Sequence, residues 1–113
     1  MAAAKYDLTI EQGATFTLNL VWKSAGGTPN DLTGYSARMQ IRASASSPTT
    51  IANLVSPTDI VLGGALGTIV ITISAAQTAE MTRGGVYDFE LVNGSVVTRL
   101  IYGSVSLSKE VTR

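Results

Sequence analysis

The chain has 113 residues, no cysteine and no histidine, and eight basic against eight acidic side chains, for a formal net charge of zero. These absences exclude disulfides, thiol or imidazole catalysis and an ordinary zinc site. The zero balance argues against nucleic acid as the main partner, because phosphate binding needs clustered Lys and Arg.

A chain of this length reads as one domain, residues 1–113, able to bury about two-thirds of its unfolded surface. Charged residues make up only 14%, against ~25% in an average soluble domain. So few charges defend a free monomer poorly against association. Part of the surface is therefore expected to be covered by other subunits, in a homo-oligomer. A Ser/Thr-rich surface kept soluble by its hydroxyls is the alternative. No run approaches the ~20 apolar residues of a spanning helix. Met1–Ala4 is apolar, but Lys5 and Asp7 follow at once, so no signal-peptide core is expected. The membrane is not an expected partner.

Tyr6–Ile10 is a short strand candidate, followed by a turn at Glu11-Gln12-Gly13. Ala14–Lys23 alternates, with Phe16, Leu18, Leu20 and Trp22 on one side, the pattern of a half-buried strand. Ser24–Asn30 is built of turn formers and is a loop. Tyr35–Arg42 alternates again. Tyr35, Ala37, Met39 and Ile41 face the core, and Arg38, Gln40 and Arg42 form a polar stripe. Such a stripe is commonly just a solvated face. With so few charges in the chain, it is also the leading polar candidate for a subunit contact.

Ala43–Thr50 is a second polar loop, from which Pro48 excludes a central strand. Ile51–Val55 and Asp59–Leu62 are short apolar runs split by Ser56-Pro57, which indicates edge strands or a bend. After the glycine-rich turn Gly63–Gly67, Thr68–Ile73 alternates with Ile69, Ile71 and Ile73 inward. Ser74 with Gln77 three residues on has capping-box spacing. It predicts one short helix within 74–82.

Gly85–Tyr102 reads as a β-hairpin turning at Asn93-Gly94, the dipeptide favoured in a type I′ turn. That turn sets Asp88 opposite Arg99 and Tyr87 opposite Leu100. Tyr87, Phe89, Leu91, Val96 and Leu100 then share the core face. Gly103 separates a last strand, Ser104–Val111, with Val105 and Leu107 inward. The expected fold is all-β: a β-sandwich or small barrel of seven to nine antiparallel strands with one short helix. Residues 1–5 and 112–113 fall outside the expected core as arms able to reach neighbours.

Candidate chemistry is sparse. Asp88 and Glu90 share a strand face, which suits general acid–base work or cation binding, but Arg99 is the expected partner of a solvated or interface face. Ser106 and Lys109 spell S-x-x-K, but on a strand they point to opposite faces. Gly63–Gly67 lacks the spacing of a phosphate loop. Trp22, Tyr6, Tyr35 and Tyr102 suit a stacking platform for a sugar or base, although Trp22 and Tyr35 fall on core faces. No catalytic, cofactor-binding or metal-ligating residue is assigned, and no small-molecule substrate is expected. The candidate interface residues are Lys5, Tyr6, Arg38, Gln40, Arg42, Val111 and Arg113.

Several phrases, taken in order, carry a resemblance: Glu11-Gln12-Gly13, DLTGYSARMQIR (31–42), GTIVITISAAQTA (67–79), YDFELV (87–92), VTRLIYG (97–103) and KEVTR (109–113). Together they resemble small structural proteins of tailed bacteriophages. The resemblance spans nearly the whole chain and implies a non-enzymatic virion component, assembled in the bacterial host cytoplasm. Its partners would be other virion proteins, as a capsid decoration subunit or as a tail, neck or baseplate part. It carries over no functional residue. The alternative from another class is a carbohydrate- or receptor-binding β-sandwich module, which needs an exposed aromatic cluster with convergent polar groups on loops; the loops Ser24–Asn30 and Ala43–Thr50 hold no aromatic, which counts against it.

Overall fold

A computed structural model describes residues 3–112. They form nine strands and one short α-helix in two sheets. In chain order the strands are β1 (Ala4–Lys5), β2 (Leu8–Glu11), β3 (Phe16–Val21), β4 (Ser36–Arg42), β5 (Ala52–Val55), β6 (Ile60–Leu62), β7 (Thr68–Ile73), β8 (Gly85–Asn93) and β9 (Val96–Ser108). Helix α1 (Ala75–Ala79) lies between β7 and β8. The larger sheet runs β1-β9-β8-β4-β5, with β2 also on β9, and the smaller runs β3-β7-β6. The architecture is a β-sandwich.

Alternation in the sequence becomes the core. Ala37, Met39 and Ile41 of β4, Tyr87, Phe89 and Leu91 of β8, and Ile69, Ile71 and Ile73 of β7 are all buried. Phe16, Leu18, Leu20 and Trp22 reach the same core but stay half-buried, because β3 is an edge strand. Helix α1 starts where the capping spacing predicts. The Ser74 hydroxyl accepts from the Gln77 amide and the Gln77 side chain accepts from the Ser74 amide. Behind it, the fully buried Thr78 hydroxyl donates to the Ala14 carbonyl (2.8 Å) and accepts from the Gly13 amide (3.0 Å). The helix thereby closes one end of the sandwich over the β2–β3 turn.

Three expectations need correction. First, β1 and β2 run parallel to β9, so the strands are not all antiparallel. Leu8 and Ile10 gain burial beside Val105 and Leu107 in that direction, and no local signal specifies it. Ala4 and Lys5, expected in an N-terminal arm, are laid along β9 opposite Ile101 and Tyr102. Thr112 is exposed, and Met1, Ala2 and Arg113 lie outside the described residues.

Second, the hairpin turns one residue later than Asn93-Gly94 implies. Asn93 pairs with Val96, so the loop is Gly94-Ser95. Gly94 has φ 60°, and among the described residues no non-glycine residue has positive φ. This is the pattern of a II′ turn, which needs glycine only at its first central position. A bulge beside Phe89 and Glu90 then takes up Leu100 as an extra residue. It places Ile101 opposite Phe89 on the core face, where Thr98 was expected, and Gly103 opposite Tyr87, where Leu100 was expected. Val96, also assigned to the core, is 62% exposed.

Third, Gly103 does not separate two strands, because β9 runs unbroken through it. A Cβ there would collide with the Tyr6 carbonyl oxygen, so the glycine admits the backbone of the parallel strand. Asp7 completes that crossing by accepting from the Ser104 amide at 2.9 Å.

Candidate functional site

The outer face of the larger sheet gathers the polar side chains of five strands into rows. In one row Arg38 of β4 stands opposite Glu90 of β8, and Glu90 stands opposite Arg99 of β9. In the next, Asn53 of β5, Gln40 of β4, Asp88 of β8, Tyr102 of β9 and Lys5 of β1 are successive neighbours. Strand period points every second residue outward, and the bulge at Leu100 turns both Arg99 and Tyr102 to this face.

The side chains bond along and across the rows. Arg38 Nε donates to Glu90 Oε1 at 2.7 Å, and Arg99 Nε lies 3.3 Å from Asp88 Oδ2. Arg99 also covers the ring of Tyr102, 4.5 Å from the centroid. Gln40 Nε2 donates to Asn53 Oδ1 at 3.3 Å, while Gln40 Oε1 accepts from Arg42 Nη2 at 2.9 Å. Arg42 Nη1 donates to the Ser47 carbonyl at 2.8 Å. The half-buried Arg42 guanidinium is thus held from two sides by neutral acceptors. Among the described residues, no carboxylate lies within salt-bridge distance of Arg42 or Lys5.

These groups surround a shallow depression of about 700 Å³, with Lys5, Gln40, Arg42, Asp88, Arg99 and Tyr102 in its lining and the start of the Ala43–Thr50 loop as one wall. The lining carries the cations Lys5, Arg42 and Arg99 against the carboxylates Asp88 and Glu90, and Arg38 beside it is paired with Glu90.

Of the candidate interface residues, Arg38, Gln40, Arg42 and Lys5 come together on this face. Tyr6 lies at the β1–β2 junction, 48% exposed. Its amide bonds the Tyr102 carbonyl and its own carbonyl accepts from the Tyr87 hydroxyl. Burial, with the Asp7 charge and Tyr6 nearby, pushes the Tyr87 phenol up to about 12. Val111 is 90% exposed past the end of β9, where Glu110 bonds Gln12, and it does not join the face. Arg113 lies outside the described residues.

Asp88, Glu90, Arg99 and Tyr102 belong to the site although sequence reasoning did not assign them to it. The common face of Asp88, Glu90 and Arg99 was readable from period two, but the bulge that adds Tyr102 and the β4–β8 register that brings them to Arg38 and Gln40 were not. The four-aromatic platform does not assemble. Trp22 and Tyr35 meet edge to face, with centroids 6.0 Å apart, and both pack against the core. Trp22 Nε1 is buried there with no hydrogen-bond partner among the described residues. Both carboxylates that suited acid–base work are held by arginines. Among the described residues no group of three or more His, Cys, Asp or Glu is placed to hold a metal ion.

No family model matches the chain, and no curated protein matches its sequence. Solved structures do match in fold. The extracellular domain of the voltage-gated sodium channel beta4 subunit, whose parallel homodimer structures explain its role in cell–cell adhesion, aligns with a TM-score of 0.51 at 12% identity. The alignment covers 98% of this chain and 97% of that one. Tim-1 aligns more loosely, with a TM-score of 0.41 at 12% identity over 100% and 99% of the two chains. The first likeness shows a shared β-sandwich fold.

Proposed function

We propose that this chain is a non-enzymatic interaction module that binds another protein through the outer face of its larger sheet. The observation that carries the reading is the depression itself. Tyr102 sits among Gln40, Arg42, Asp88, Arg99 and Lys5, the convergence of an aromatic with polar groups that a binding site needs. A merely solvated sheet face would leave these side chains splayed into water. Here Gln40 and Ser47 hold Arg42 in place.

Two settings fit such a module. A receptor- or surface-binding role is supported by the fold shared with an extracellular domain that acts in cell–cell adhesion as a homodimer. A virion role is supported by the ordered phrases that resemble structural proteins of tailed bacteriophages. In that setting the module joins a head or tail and meets neighbouring subunits or further copies of itself.

Mass spectrometry of purified tailed-phage particles, with immunogold labelling by an antibody to this chain, separates the settings. Label over head or tail establishes the virion role and says which. Absence from particles, with saturable binding of the purified chain to a cell surface, establishes the receptor-binding role. Reproducible turnover lost on Asp88→Ala would overturn the module reading in both.

A further inference from the structure

We propose that the depression on the larger sheet receives carboxylate groups of an acidic polypeptide segment, with Arg42 and Lys5 as the receiving cations. The inference rests on the binding-module reading and names the chemistry of its partner.

The charges of the face are unequally satisfied. Glu90 is taken by Arg38 and Asp88 by Arg99. Arg42 and Lys5, which line the same depression, have no carboxylate within salt-bridge distance among the described residues; Arg42 bonds neutral acceptors, and Lys5 acts on Asp7 only at longer range. An arginine has five N–H donors, and Arg42 spends only the two bonds that fix its plane. The relay from Asn53 through Gln40 to Arg42 orders the guanidinium before a ligand arrives. That lowers the entropy lost on binding. A planar carboxylate matches the remaining donor fork, and Lys5 adds a second positive point across Tyr102.

Other anionic partners fit less well. A sugar needs a bare aromatic face, and Arg99 covers that of Tyr102. A nucleic-acid backbone would meet Asp88 and Glu90 on the floor of the depression, where like charge repels it. An acidic peptide places side-chain carboxylates at Arg42 and Lys5 and leaves its own amides to face the two acidic residues.

The test is fluorescence anisotropy of a labelled ten-residue oligoglutamate with the full chain at low ionic strength. Polysialic acid and a ten-residue oligothymidylate serve as competing anions. The proposal expects the glutamate peptide to bind best. Lys5→Gln with Arg42→Gln should weaken it about tenfold, the size expected for two lost surface ion pairs. Lys23→Gln with Lys109→Gln, away from the depression, should leave it unchanged. Asn53→Ala should weaken it about twofold by loosening Arg42. If the double variant fails to fold, Lys5→Gln alone, in a two-residue edge strand, must still weaken binding. No binding, equal binding by the double variant, or preference for either other polymer overturns the proposal. If oligoglutamate fails while a protein still cross-links to this face, the ligand class is wrong and the module reading stands.

Discussion

Asp88 and Arg99 form an ion pair at 3.3 Å although neither stands opposite the other in the sheet. Asp88 faces Tyr102, and Arg99 faces Glu90. The turn at Gly94-Ser95, one residue later than Asn93-Gly94, moves Arg99 from opposite Asp88 to opposite Glu90, and the long arginine side chain spans the diagonal. Glu90, left free by that choice, is bonded by Arg38 from the next strand. Both pairs are solvent-exposed in part, so each contributes at most about 1 kcal/mol. Arg99→Ala should lower stability by no more than that in urea denaturation and should uncover the Tyr102 ring, seen as stronger quenching of tyrosine emission by acrylamide.

The hairpin tip gives a sharper test. Gly94 is the left-handed residue and Asn93 is an ordinary strand residue paired with Val96. Gly94→Val should cost about 1–2 kcal/mol, because a β-branched side chain resists positive φ. Asn93→Thr should change stability by less than about 0.5 kcal/mol. Denaturant midpoints of the two variants check this. A large loss on Asn93→Thr would restore the Asn93-Gly94 turn.

Thr78 is fully buried and serves the Gly13 amide and the Ala14 carbonyl. Thr78→Val keeps the shape and strands both groups. It should destabilise by about 2–3 kcal/mol, the cost of buried polar groups left without partners, measured by chemical denaturation.

The Tyr87 phenol is raised to about 12 in the fold, from ~10 in an unfolded chain. The folded state therefore favours the protonated form. Its contribution is complete below pH 10 and is lost as pH rises from 10 through 12. Ultraviolet titration should show one tyrosine ionising last, and thermal stability should fall across that window. Tyr87→Phe should flatten that part of the profile.

Reading the sequence succeeded where one element decides its own structure. Period two marks β4, β7 and β8, and the Ser74–Gln77 spacing places α1. It failed where partners compete. The turn Asn93-Gly94 is locally favourable, but the turn sits one residue later, at a glycine that suits either, which moves the β9 partners by two residues and, past the bulge, by three, so that Ile101 instead of Thr98 meets Phe89. The parallel seating of β1 and β2 depends on Gly103 and Asp7, which have meaning only once β9 lies beside them. The candidate site was half readable for the same reason. Arg38, Gln40 and Arg42 share a face by alternation, while their meeting with Asp88, Arg99, Tyr102 and Lys5 is a product of sheet order.

The most direct test of the outer face as the binding surface is site-specific photo-cross-linking in the protein's native setting. A photoreactive phenylalanine derivative replaces Val86, exposed in the depression, or Val61, exposed on the smaller sheet. A discrete adduct with another polypeptide from position 86 and none from position 61 is the predicted result. Adducts from position 61 alone, or from neither position, would contradict it.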